Sequence, residues 1–159
     1  MSVRLTTALA TWVIASFLLS SPSAAEQQWT WPVEQPRIIR GFDPPAQRWL
    51  AGHRGIDISA KPGSAIHAVG AGVITFAGVI AGKPVVVVTH GRLRSTYEPV
   101  TAAVRTHDLI SAGQVIGHLA AGHCPAGCLH LGLRRGDAYL DPRVVLSPAR
   151  LLSGSPARG

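Results

Sequence analysis

Three short strings hold the side chains that can do chemistry. The first is His53-Arg54-Gly55-Ile56-Asp57, an imidazole and a carboxylate four positions apart. A helix would bring such positions to about 6 Å, but Gly55 and the run Ile56-Asp57-Ile58-Ser59 favour extended chain. A straight strand would set the two about 13 Å apart at roughly 3.3 Å per residue. That is too far for ligands that each sit about 2 Å from one metal ion. If both bind one ion the chain must bend between them, and Gly55 permits a bend without a Cβ clash. Taken alone, a histidine and an aspartate at this spacing read more readily as solvated loop residues.

The second string is Cys128-Leu129-His130, at the head of the apolar run Leu129 to Leu133. In a strand, residues two apart share a face, so Cys128 and His130 point together while Leu129 and Leu131 point into a core. A histidine and a carboxylate from one segment plus a histidine from a distant one make the three-ligand set of a catalytic zinc, with a fourth position open. The third string is Ser95-Thr96-Tyr97-Glu98-Pro99-Val100, which follows His90-Gly91.

The elements that must position these strings are short strands. Apolar or alternating runs recur between glycines and prolines: Ile56 to Ser59, Ile66 to Val69, Val73 to Ala77, Pro84 to Thr89, Leu93 to Tyr97, Val115 to Leu119 and Leu129 to Leu133. Such β-branched runs at close spacing predict an all-β sandwich or barrel. Val85 to Val88 is apolar at every residue, which predicts a central strand covered on both faces. Arg37-Ile38-Ile39 offers one more short strand in a lead-in rich in Pro, Gln and Trp. The one helix expected is short, within Arg143 to Leu152, started by Pro142 and interrupted by Pro148.

The 159 residues suffice for one domain. The first 25 read as a signal peptide: Arg4 supplies the positive start, Ala8 to Leu19 the apolar core, and Ser23-Ala24-Ala25 the small residues of a cleavage site. An uncleaved anchor is the alternative, but the apolar core of about 12 residues is short against the roughly 20 of a span. The expected division is a signal over 1–25, an irregular lead-in over 26–45, the β domain over 46–152 and a disordered tail over 153–159. Net charge is +7, of which Arg4 contributes one, and the basic residues are scattered. No basic stripe interleaved with aromatics marks a nucleic-acid surface, and the charge fits an anionic cell envelope as well as ordinary solubility. Cys124 and Cys128 both fall in the exported part, an even count for an oxidising compartment.

The order of these motifs resembles the lysostaphin-like (LytM-type) family of zinc peptidases. His-x-Gly-x-Asp comes first, then a Val-rich strand ending in His90-Gly91, Thr96-Tyr97, Gly113-Gln114-Val115-Ile116-Gly117, and Leu129-His130. The likeness runs from about Trp31 to Pro142. It implies a compact antiparallel β-sandwich or barrel of the duplicated hybrid motif type, with the metal in an open groove. It further implies zinc held by His53, Asp57 and His130, and action on the peptide cross-links of peptidoglycan.

Two positions depart from that pattern. The family carries His-x-His where this chain has Cys128-Leu129-His130, and a histidine where it has Pro99. Those imidazoles handle protons and steady the oxyanion, each worth roughly 10²- to 10⁴-fold. Glu98 adjoins the vacated position, although a regular strand turns it away from Pro99. His118 and His123 lie near the groove loops and read as surface residues; His67 reads as a structural strand histidine and His90 as one that orients loops. Cys128 has three open states: a disulfide with Cys124, favoured by export and the even count, a thiolate ligand that closes the site, or a free thiol. Two functions therefore compete, beside a third reading of purely structural zinc with no wall role. One is a secreted peptidoglycan endopeptidase with substituted groups. The other is a catalytically silent relative that binds the cell wall or regulates a wall-hydrolase partner.

Overall fold

A computed structural model describes residues 27–47 and 49–146; the expected signal peptide and tail lie outside them. The chain is all-β, as the strand runs predict. In order come β1 (Ile38–Arg40), β2 (Gly55–Ser59), β3 (Ala65–His67), β4 (Gly72–Ile80), β5 (Lys83–His90), β6 (Leu93–Glu98), β7 (Val100–Ala102), β8 (Leu109–Ile110), β9 (Val115–Leu119), β10 (Cys128–Arg135) and β11 (Ala138–Leu140). A single turn of helix, α1 (Arg143–Leu146), follows Pro142, whose fixed φ suits a helix start. Among the described residues no helix is long and apolar enough to cross a membrane.

Two antiparallel sheets form. The larger runs β1-β2-β10-β6-β5-β4-β8, with β11 added to β10; the smaller runs β3-β9-β7. Between them lies one core, to which Ile56, Ile58, Val86, Val88, Tyr97, Leu129 and Leu131 come from the large sheet, and Ile66, Val100, Ile116 and Leu119 from the small one. Val33, Trp29 and Trp31 from the lead-in join this core, and β1 pairs with β2. β5 is central as expected, but its outer face is only partly covered: Val85 is buried while Val87 is half-buried.

Register decides which side chains meet. β2, β10 and β6 are neighbours, with His130 opposite Asp57 on one side and opposite Glu98 on the other. Alternation then sends Ile56, Ile58, Leu129, Leu131 and Tyr97 inward. The same alternation sends Asp57, His130 and Glu98 to the opposite face as one row across three strands.

On the core side a buried polar chain ties the strands together. Val69 N donates to Tyr97 Oη at 2.9 Å, Tyr97 Oη and Ser95 Oγ are 2.9 Å apart, and Ser95 Oγ is 2.7 Å from His90 Nε2. His90 Nδ1 donates to Ala71 O at 2.8 Å. Burial pushes His90 below its ordinary pKa, against the pull of that carbonyl. Ser95 Oγ lies between Tyr97 Oη, to which it donates, and His90 Nε2, and every member of the chain has a partner. Burial likewise raises the Tyr97 phenol to about 12. Tyr97 and His90 therefore hold loops together, as the strand-end position of His90 suggests.

Candidate metal centre

The outward row is the floor of the site. His53 lies before β2, its backbone bridged to Asp43, and folds back over the strand. His53 Nε2 is 3.0 Å from Asp57 Oδ1 and 3.1 Å from His130 Nδ1, and His130 Nδ1 is 2.8 Å from Asp57 Oδ1. His53 and Asp57 are 5% and 4% exposed, so these are not solvated loop residues.

The three atoms are of types that can bind one cation. His53 Nδ1 lies 2.6 Å from Gly41 O, which can only accept, so Nδ1 carries a proton and Nε2 is the nitrogen turned to Asp57 and His130. Burial alone would raise Asp57, but its bond to His130 and the nearby His53 and His123 outweigh this and hold its carboxyl below the usual range. Burial pushes His130 below its ordinary value despite the attraction of Asp57. A carboxylate and two imidazole nitrogens thus converge at hydrogen-bond distance of one another. All three edges are well under twice the roughly 2.0–2.2 Å bond that zinc makes to nitrogen or oxygen, so one ion can touch all three. The His53–Gly41 bond holds the ring by a backbone carbonyl, the kind of support that metal-binding histidines have.

Gly55 acts differently from the sequence expectation. It has no positive φ, and its role is clearance. A Cβ there would lie 2.3 Å from Leu131 O and 2.8 Å from both Cε1 and Nε2 of His130. The glycine lets β10 and the His130 ring approach β2.

Cys124 and Cys128 form a disulfide with Cα atoms 5.5 Å apart, inside the usual range of about 4.4–6.8 Å. Both sulfurs are therefore occupied, and Cys128 is neither a ligand nor a free thiol in this state. Pro99, buried, follows Glu98 through a cis peptide bond.

His123, read as a surface residue, belongs to the site. Its Nε2 is 3.2 Å from Asp57 Oδ1, its Nδ1 is 3.6 Å from Glu98 Oε1, and its ring centroid is 5.2 Å from that of His130. Glu98 in turn accepts from Lys83 Nζ at 2.8 Å. No periodic pattern points to His123; the only signal is its place beside Cys124, whose bond to the head of β10 folds the loop back over the row. His118 is exposed on β9, and His67 Nδ1 donates to Gly113 O at 2.9 Å, a structural contact.

A two-sheet β domain with an open His–Asp–His donor set at one sheet face defines a metallopeptidase-type architecture. The profile of Peptidase family M23 matches residues 51–142, and the chain belongs to that family. The uncharacterised Mycobacterium tuberculosis protein Rv2891 is 43% identical over 148 residues, 86% of this chain and 59% of that relative. The chain thus spans less than two thirds of that relative's length. Among solved structures, Helicobacter pylori Csd3 superimposes with a TM-score of 0.63 at 28% identity, covering 74% of this chain and 34% of Csd3. Lysostaphin from Staphylococcus simulans superimposes with a TM-score of 0.64 at 21% identity, covering 81% of this chain and 58% of lysostaphin, a likeness of fold.

Proposed function

We propose that this chain is an exported, zinc-dependent endopeptidase domain that cleaves peptide cross-links of bacterial peptidoglycan, with His123 and Glu98 supplying the polar groups that Pro99 and Cys128 cannot. The observation that carries the reading is the convergence of two imidazoles and a carboxylate beside a third imidazole, His123. His53, Asp57 and His130 would hold the ion. Zinc, when bound, activates water and polarises a carbonyl. The His123 ring, set between Asp57 and Glu98, can hold a proton at either nitrogen, and Glu98 is steadied by Lys83. Export rests on the signal-like first 25 residues, and the wall substrate on the family.

The test is to incubate the zinc-loaded protein with peptidoglycan and identify released peptides by mass. Cleavage is expected, lost in His130→Ala and reduced about 10²-fold in His123→Ala or Glu98→Gln. The vacated imidazole positions favour one second reading, a silent wall-binding relative. Retention on intact peptidoglycan with no peptide released from any cross-link type would establish that reading and overturn the first.

A further inference from the structure

The disulfide hides a second set of metal donors. Asp57, His123, Cys124 and Cys128 each offer a ligand atom, and these atoms all lie within 4.8 Å of one another. We propose that reduction of Cys124–Cys128 opens a second metal site, Cys124–Cys128–His123–Asp57, that takes Asp57 away from His53 and His130. The consequence for activity rests on the functional reading above; the new site itself does not.

Two backbone features, neither of them the S–S bond, keep the sulfurs in place. Cys128 heads β10 and is paired with Ser59 of β2, so its position belongs to the sheet. Cys124 starts a turn closed by Gly127 N donating to Cys124 O at 3.1 Å. Gly127, at φ 86°, is pressed so close to β2 and the residues after it that a Cβ would lie 2.6 Å from Ala60 O. A turn anchored this way keeps its shape when the sulfurs part. The spacing Cys124-Pro125-Ala126-Gly127-Cys128 falls in the C-x₂₋₄-C range of zinc-binding cysteine pairs, and two thiolates, an imidazole and a carboxylate complete a four-coordinate closed set.

The redox step balances with a dithiol as the reductant. A thiolate of the dithiol attacks Cys124 Sγ, the less buried sulfur beside the exposed Pro125 and Ala126, and Cys128 leaves. The second thiol of the dithiol then displaces Cys124, giving two cysteine thiols and an oxidised dithiol. Metal binding releases both thiol protons. His123 turns from a neighbour of the open triad, and Asp57 from a member of it, into ligands of the closed site. Oδ1 of Asp57 is the atom both sets share, so the ion moves rather than doubles.

Cobalt(II) reports the site directly. The full protein is titrated with cobalt, oxidised and after reduction by a phosphine. The oxidised form is expected to bind one ion per chain without sulfur-to-cobalt charge transfer. The reduced form is expected to bind one ion with a strong near-ultraviolet charge-transfer band, about tenfold or more tighter given its four ligands. His123→Ala should weaken only reduced binding, and His53→Ala only oxidised binding. The Cys124→Ser, Cys128→Ser double variant should keep the oxidised pattern under reductant, which separates a failed second site from a failed triad. A reduced protein without the charge-transfer band, a band indifferent to His123→Ala, or loss of near-ultraviolet circular dichroism on reduction would each overturn the proposal.

Discussion

Replacing Gly55 by alanine probes whether the centre depends on how closely two strands approach. The added Cβ would sit 2.3 Å from Leu131 O and 2.8 Å from two atoms of the His130 ring. Ordinary contact begins near 3.4 Å. The β2–β10 pair must therefore open by about 1 Å at Leu131, and the His130 ring must move by roughly 0.5 Å. A metal centre accepts ligand distances within about ±0.2 Å of ideal, so His130 Nδ1 cannot keep its place relative to Asp57 Oδ1. Zinc affinity should fall about 10- to 100-fold, the range for disturbed support of a ligand. Overpacking costs about 1–3 kcal/mol, or a fall of about 4–12 °C in Tm at roughly 4 °C per kcal/mol for a domain of this size. Competition with a chromophoric chelator gives the first number and melting of the metal-free protein the second. Gly41→Ala is the control, because nothing lies within 4 Å of its Cβ position and it has no positive φ. A Gly55→Ala protein that binds zinc like its parent and melts with it would refute the clearance argument.

The buried polar chain and its histidine make two more expectations. Tyr97→Phe strands the Val69 N–H and removes a partner of Ser95, so stability should drop by about 2–3 kcal/mol; denaturant unfolding measures it, and zinc stoichiometry should be unchanged. His90 is held below its ordinary value of 6.5, so the stability that rests on its neutral form is complete above pH 6.5 and is lost as pH falls. The added slope is at most about 1.4 kcal/mol per pH unit. Melting curves of metal-free protein from pH 7.5 to 5 should show a shallower acid loss in His90→Gln than in the parent, and equal slopes would sink the assignment.

The sequence exposes most of the strands because they alternate or are uniformly apolar, and β2, β9 and β10 begin or end within a residue or so of their runs. It conceals β7, β8 and β11 for identifiable reasons. Thr101 and Ala102 of β7 are exposed, β8 is only two residues long, and Ala138 and Tyr139 of β11 face solvent at the sheet edge. None of these carries the apolar repeat that marks a half-buried strand. Asp57 and His130 are legible because register sets them opposite each other and motif order reflects register, whereas His53 lies before β2 and folds back over it. Gly55 is legible as a requirement but not in kind: the sequence shows a glycine where the chain must turn, whereas the structure uses the missing Cβ to admit an imidazole from another strand.

His123 shows where such reading stops. A residue on a strand inherits its direction from alternation, so a histidine at position 128 would be fixed over the row by the sheet itself. With a disulfide there instead, the imidazole must come from a loop, and a loop side chain has no periodic rule to place it. Here the placement comes from closure. The Cys124–Cys128 bond and the turn at Gly127 bring residue 123 back over Asp57, and Glu98, opposite His130 across the next strand, stands on its other side. Asp57 and His130 are thus held by sheet register and the neighbouring imidazole by a crosslinked turn. The two can be perturbed separately: a change at Gly55 acts on the ion, and a change in the loop acts on His123 while leaving His53, Asp57 and His130 converged.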